Sequence, residues 1–574
     1  MAYAITQNCC NDASCVSVCP VNCIHPTPDE PGFGSTELLY VDPKTCIDCG
    51  ACADACPVDA IFPIDRLLGP DTVYAELNQL YYTEHPTDNA WSVPHFPRSL
   101  PADIGAVRVA VIGTGPAACY TAESLLRIGA EVTMLDRQPV PGGLIRFGVA
   151  PDHPSTKKIG DSFAGLFQHP RLRMHLNVEV GKDVTHADIA AHHHAVIYAV
   201  GAAADRTLGI PGEDLTGSLS ATSFVAWYSA HPDVWPSEVD LSAERAVIIG
   251  NGNVAVDVAR ILLSDPEDLA RTDIADHALK TLRTSKVREV VLLGRRGPEQ
   301  AAFTRPEFLA LQHLPGVRVV VDEHPEVRAV IAGAEPASKA AVFADADSEA
   351  IDWHSPPPEG RRIVFRFLST PTELLGEQHV ESIAVGRNTI RGEAGVEATG
   401  QHDVLPTRLV LRSTGYRGRP IPDLPFDPAT AAVPNHAGRV VDPEQGERVT
   451  GTYVVGWIKR GPSGGIGTNR TCAAETVDAL LDDANGRELL HPVGSARDFA
   501  RLVRRRKPHA VGKREVLAID QAERARGDEA GRPRVKFATA HDLIAAGWPA
   551  AIIESWVGRA RGQLIASSLW RPVR

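Results

Sequence analysis

Residues 107–136 read VRVAVIGTGPAACYTAESLLRIGAEVTMLD, and the fold of most of the chain follows from them. Val107 to Ile112 is a short β-branched run that meets Gly113-Thr-Gly115-Pro-Ala117-Ala118. Apolar residues then recur at helical spacing to Leu126, and a second strand-like run from Glu131 to Asp136 closes the unit. Glycines at a strand-to-helix turn let backbone N–H groups approach a pyrophosphate at the helix N-terminus. A carboxylate ending the next strand, here Asp136, reaches ribose hydroxyls.

The same device returns at Arg245 to Leu263, RAVIIGNGNVAVDVARILL, with Gly250, Asn251, Gly252, Asn253 and Val254 at its turn. The following run, Val287 to Leu293, leads into Gly294-Arg295-Arg296-Gly297, where a site for NAD would place an acid. Two guanidiniums there suit a 2′-phosphate, so this crevice is expected to take NADPH. Two βαβ units imply two dinucleotides.

The chain of 574 residues is too long for one core, and no stretch approaches the roughly 18 apolar residues of a membrane helix. The N-terminus lacks a charged start followed by an apolar run, so the expected compartment is the cytoplasm. A net charge of −13 argues against a nucleic-acid partner. Charge is uneven: residues 1–65 carry −8, residues 501–574 carry +9 and the middle −14, an arrangement of acidic head and basic tail expected to steer the head, or a separate acidic carrier, towards the dinucleotide site.

Nine of the eleven cysteines lie within the first 56 residues, which leaves a disulfide scaffold or a metal site. Cys46, Cys49, Cys52 and Cys56-Pro57 are spaced C-x2-C-x2-C-x3-C-P, the bacterial ferredoxin run whose fourth cysteine reaches a second cluster. Cys15 and Cys19-Pro20 repeat its closing half. By the same crossing, Cys19 completes the cluster of Cys46, Cys49 and Cys52, while Cys56 joins Cys15. The adjacent Cys9 and Cys10 supply one further ligand, taken as Cys9, which leaves a three-iron or a four-iron centre open. Cys23 is surplus. Structural zinc is the competing reading of four thiolates. Cys119 and Cys472 stand alone, read as buried spectators, so the flavin-side dithiol of a thioredoxin reductase is missing. His192, His193 and His194 read as a solvated loop.

Two further stretches are specific: PVPGGLIRFGVAPDHP at 139–154 and YVVGWIKRGPSGGIGT at 453–468. From about Val107 to Gly547 the chain resembles the adrenodoxin reductase family of NADPH:ferredoxin reductases. Its first 60 residues resemble seven-iron ferredoxins, in the order seen in actinobacterial reductases that carry their own ferredoxin. The resemblance implies FAD contacts at Ala117, Asp136, Leu144, Val180, Trp457 and Gly464, Gly465 and Ile466. It implies NADPH contacts at Arg206, Asn251 to Val254, Arg295, Arg296, Glu307 and Gly464, and a polar pair, His153 and Glu307, near the flavin ring. The chain departs from the family pattern at Asp136, Gly142, Ser463 and Gly465.

The expected architecture is an α+β ferredoxin-like iron–sulfur head followed by an α/β flavoprotein of two dinucleotide-binding domains. The expected divisions are a ferredoxin domain at 1–65, a linker at 66–106, the FAD domain at 107–203 and 373–547, an inserted NADPH domain at 204–372, and an extension at 548–574 read as an amphipathic helix. The expected activity is NADPH:ferredoxin oxidoreduction, with FAD and two iron–sulfur clusters passing single electrons to a ferredoxin-type acceptor. Two other functions compete with it: an electron-input subunit like that of glutamate synthase, and a non-catalytic ferredoxin carrier.

Overall fold

The computed structural model describes residues 2–87, 89–90, 98–234, 239–336, 338–392 and 394–548. The stretch at 107–136 folds as strand Arg108–Ile112, helix Pro116–Arg127 and strand Glu131–Asp136. The two strands pair in parallel, Arg108 opposite Glu131 and Ile112 opposite Leu135. They belong to a seven-stranded sheet whose other parallel members are Leu172–Leu176, Ala195–Tyr198 and Arg448–Val454, with Asn435–His436 and Arg439–Val441 added as an antiparallel edge. Chain segments 250 residues apart thus build one sheet, because Thr452 to Val454 pair with Val196 to Tyr198.

The second turn motif opens a second sheet of seven parallel strands, in which Arg245–Ile249 pairs with Glu289–Leu293. Its other face to Arg245–Ile249 is filled by Leu409–Arg412. That pairing corrects the expected boundary at 372: the antiparallel strands Ser369–Leu375, Ser382–Arg391 and Gly395–Pro406 precede the last strand of the second unit. Four residues, LVLR, carry no turn motif of their own, and only the sheet reveals where they belong. The two passages between the units, Ala204–Asp205 and Tyr416–Arg417, run antiparallel to each other.

The head contains two small antiparallel pairs, Tyr3–Ile5 with Ile61–Pro63 and Ile24–His25 with Tyr40–Val41. The expected linker is partly head. Helix Val73–Glu84 lies across both pairs, and the buried Asn78 amide accepts from Ile5 N at 3.2 Å and Val41 N at 2.8 Å while donating to Ile5 O at 3.0 Å. The Tyr82 hydroxyl donates to Tyr40 O at 2.7 Å and accepts from His25 N at 3.1 Å. Polar side chains make these contacts, so no apolar period announced the helix.

Head and first unit share one apolar core, in which Ile5, Cys10 and Ile24 belong with Val109, Leu125 and Leu480. The second unit has its own, around Phe303, Phe308, Phe343 and Phe365. His193 is another correction, since it is fully buried rather than solvated. Its Nδ1 donates to Ile189 O at 2.9 Å and its Nε2 accepts from Thr133 Oγ1 at 3.0 Å. No helix among the described residues is long and apolar enough to cross a membrane. The helix expected in the terminal extension lies outside the described residues.

Candidate functional site

Gly113 and Gly250 occupy equivalent positions, both at φ +117°, and each lies against a backbone carbonyl that a side chain would strike. A Cβ would fall 2.4 Å from Ala199 O at the first and 2.3 Å from Ser413 O at the second. Each turn therefore needs glycine to bring the following helix N-terminus onto the sheet edge. In the first unit Gly115 caps helix Pro116–Arg127, with the buried Ala117 in its opening turn. Asp136 is half-buried; loss of water around it raises its pKa, while Thr114 Oγ1 donates to it at 2.6 Å and Gln138 N at 2.9 Å.

Leu144 begins the short helix Leu144–Phe147, and Val180 sits in the loop after strand Leu172–Leu176. Gly456, which precedes Trp457, packs on Ala117, and Trp457 Nε1 donates to Ser463 O at 3.1 Å. These contacts bring Ala117, Trp457 and the 461–468 loop with Gly464, Gly465 and Ile466 to one side of the sheet. The glycine-lined cradle, the carboxylate at a strand end and the helix N-terminus fit a dinucleotide such as FAD.

In the second unit Gly252 caps helix Asn253–Leu263. Asn253 Oδ1 accepts from Thr304 N at 2.7 Å and Asn251 Oδ1 from Ala302 N at 3.3 Å, which fixes the turn. Val254 packs on the core beneath it. Arg295 and Arg296 follow strand Glu289–Leu293 with exposed side chains, a placement that fits a phosphate, and their carbonyls are held by Asn388 and Leu368. Arg206 lies beside the crossing strands, its N–H on Gly415 O at 3.3 Å.

His153 from the first unit meets Glu307 from the second. With Asp257 they form a group whose ligand atoms lie within 4.8 Å of one another. Arg260 joins it: it donates to Asp152 at 2.6 and 3.1 Å and to Asp257 at 2.7 Å, and lies 3.6 Å from Glu307. Burial and then Asp257 raise the Glu307 pKa, against His153 and Arg260. Burial would also raise Asp152, but its two bonds to Arg260 hold it low. Sequence reading assigned no role to Asp257 and Arg260. Their signal was their spacing of three on the helix that opens at Asn253, which puts both on one face.

In the head, Cys19, Cys46, Cys49 and Cys52 line one cavity together with Tyr3, Ile24 and Val41. Cys9, Cys15 and Cys56 lie near enough to one another for mutual electrostatic influence, and Cys10 lies beside them. Burial pushes the Cys9 and Cys52 thiols up to about 11, a charge penalty that iron reverses on binding. Cys23, read as surplus, lines the same cavity with its sulfur 3.5 Å from that of Cys19, lowering the Cys19 pKa and raising its own. Among the described residues no three sulfurs lie within 4.8 Å of one another. A tetrahedral zinc with bonds of about 2.3 Å would hold thiolates about 3.8 Å apart, so the set fits an iron–sulfur cluster rather than a single ion.

The head is seated on the 461–468 loop. Gly467 N donates to Cys10 O at 2.8 Å, and Arg470 reaches Asp12 O at 3.2 Å and Ser14 Oγ at 2.8 Å. Lys158 pairs with Asp59. On the second unit, Arg305 N donates to Glu37 Oε2 at 2.9 Å and Lys339 pairs with the same carboxylate. Thiols, the glycine loop and both dinucleotide turns thus converge.

Residues 107–292 match the pyridine nucleotide-disulphide oxidoreductase family and residues 39–62 the 4Fe-4S binding domain. A probable ferredoxin/ferredoxin--NADP reductase of Mycobacterium bovis is 48% identical over 560 residues, covering 95% of both chains. The chain belongs to the ferredoxin--NADP reductase family. The mitochondrial NADPH:adrenodoxin oxidoreductase of Arabidopsis thaliana is 38% identical over 77% of the chain and 95% of its own length. A solved structure of Mycobacterium tuberculosis FprA in complex with NADPH, 44% identical, superposes with a TM-score of 0.70 over 77% of this chain and 99% of that one. Both of these reductases match about three quarters of this ferredoxin--NADP reductase, and the Mycobacterium bovis relative matches nearly all of it.

Proposed function

We propose that this reductase takes two electrons from NADPH at the paired dinucleotide turns and delivers them singly, through its own thiolate-rich head, to an external carrier. The balance is NADPH plus two oxidised carriers giving NADP+, one proton and two reduced carriers. The observation that carries the reading is the seating of the Cys10–Asp12 segment on the 461–468 loop, which puts cysteines beside the loop the family uses for flavin. FAD, when bound, supplies the conversion between a two-electron hydride donor and one-electron carriers.

The chain's own residues supply placement. The turns at Gly113-Thr-Gly115 and Gly250-Asn-Gly252 present N–H groups to the two pyrophosphates, and Asp136 orients a ribose. Arg295 and Arg296 hold the 2′-phosphate. Glu307, with its raised pKa, holds a proton beside His153 at the junction of the units, and Arg260 fixes Asp152 and Asp257 around them. Cys19, Cys46, Cys49 and Cys52 would ligate a four-iron cluster. Cys9, Cys15 and Cys56 would ligate a second, of three or four irons.

Replacing both Arg295 and Arg296 by Ala removes two charge-assisted contacts of about 1.5 kcal/mol each, roughly a hundredfold in all. The kcat/KM for NADPH should fall by that factor while that for NADH stays unchanged. Equal loss with both coenzymes would refute the assignment. Low-temperature EPR with iron and sulfide analysis, before and after NADPH, tests cluster number and whether electrons reach the head.

A further inference from the structure

The 461–468 loop, where an external carrier would most directly meet a flavin, is covered by the head at its Gly467 end, while Pro462 to Gly465 stay exposed. Gly467 N is bonded to Cys10 O at 2.8 Å, and Arg470, Lys158 and Lys339 are engaged by Asp12, Asp59 and Glu37. These three basic groups are thus neutralised from within the chain. Electrons that pass through the head leave it at another face.

The head has one face built for this. Ile47 is 58% exposed and Val18 40% exposed; Phe62 and Leu68 are exposed as well, but only Ile47 also lines the thiol cavity. Ile47 lies between Cys46 and Cys49 and lines the cavity of the four thiols, and Cys49 is itself exposed. Helix Ala51–Ala55 packs on the turn Val16–Val18, which brings Val18 to the same side. Asp48, next to Ile47, and Asp54, on helix Ala51–Ala55, are both exposed carboxylates on this segment, and the Tyr3 hydroxyl abuts Gly50. An apolar spot over a buried redox site, with carboxylates beside it, suits a partner whose own apolar contact is ringed by lysine and arginine.

We propose that the Val18–Ile47–Cys49 face is the docking surface for a small, basic one-electron carrier protein. The inference rests on the reading of the chain as a reductase whose head carries electrons. Each docking passes one electron from the head to the carrier, so each NADPH serves two carriers.

Cytochrome c, a small basic haem protein, is the probe. Binding of oxidised cytochrome c to the holoprotein is measured by calorimetry at low salt, and its reduction by stopped flow at increasing ionic strength, for Asp48→Lys with Asp54→Lys and separately for Ile47→Asp. The charge-reversed variant should bind at least tenfold more weakly and lose the salt dependence of its association rate. Ile47→Asp should keep the salt dependence while dissociating faster. In both, the iron and sulfide content should match the parent protein, which shows that the head is loaded. Unchanged binding and reduction in both variants would overturn the proposal. So would faster cytochrome c reduction on loosening the head with Arg470→Glu, which would place the carrier on the 461–468 loop. Absence of any cluster reduction by NADPH in the parent protein would instead refute the reductase reading itself.

Discussion

A Cβ added at Gly467 would lie 2.2 Å from Asp12 N and 2.4 Å from Cys10 O, both backbone atoms that cannot turn away. Glycine is required here by the approach of the head, not by its own backbone angles. The prediction is that Gly467→Ala lifts the Cys10–Asp12 segment and breaks the Gly467–Cys10 bond. NADPH should still bleach the flavin at the parent rate, while rapid-freeze EPR should show cluster reduction slowed at least tenfold. Equal rates would mean that the head's seating does not govern transfer. Arg260 shows the same dependence on tertiary partners. Its side chain is 6% exposed and joins Asp152 of one unit to Asp257 and Glu307 of the other, so its charge is tolerated only because three carboxylates meet it.

Among the elements, the passage from helix His186–Ala190 to strand Ala195–Tyr198 is held by histidines rather than by apolar residues. His193 is buried between Ile189 O and Thr133 Oγ1, with its ring against Phe499 of helix Ala496–Arg506. Burial, more than any neighbouring charge, lowers its pKa to about 4. The unfolded chain binds this proton below about 6.5 whereas the folded protein does so only near 4, so the stabilisation is complete above pH 6.5 and is lost as pH falls towards 4. At pH 5 the loss amounts to about 2 kcal/mol for this residue. Thermal unfolding at pH 7.5 and pH 5 should show a smaller pH-induced drop in His193→Gln than in the parent. An identical drop would remove His193 from the acid sensitivity. The helix Val73–Glu84 makes a related point: a segment rich in polar residues is still core when its amide closes the backbone groups of two short strands.

For the molecule as a whole, the net charge of −13 conceals where attraction acts. Among the described residues, several basic groups of the tail are paired close to home. Arg506 pairs with Asp188, Lys507 with Asp183, Arg532 with Asp276 and Lys536 with Asp273, all within the reductase. The head is met instead by Lys158, Lys339 and Arg470. Glu37 is the contact with the longest reach, since it ties the head to the first turn of helix Arg305–Gln312, which carries Glu307. Glu37→Gln should weaken this tie by about 1 to 2 kcal/mol, the value of a partly buried charge-assisted bond. Hydrogen exchange in residues 305–312 should quicken roughly tenfold, with 0.5 M salt producing part of the effect in the parent. Unchanged exchange would show that the head and the second unit are not coupled through this carboxylate.

Both dinucleotide turns and the thiol runs were legible because backbone chemistry writes them into short, contiguous spacings: a glycine where a carbonyl sits 2.4 Å from a Cβ, a thiolate every third residue. The sequence by itself therefore determined the two units and the iron–sulfur head. What pairs across long separations was not legible. The strand Leu409–Arg412 takes its place from Arg245–Ile249, the cluster of His153, Asp257 and Glu307 forms where two units meet, and the Cys10–Gly467 bond spans 457 residues. Local spacing carries no record of such contacts, because their energy comes from surfaces that are brought together only when the chain has folded.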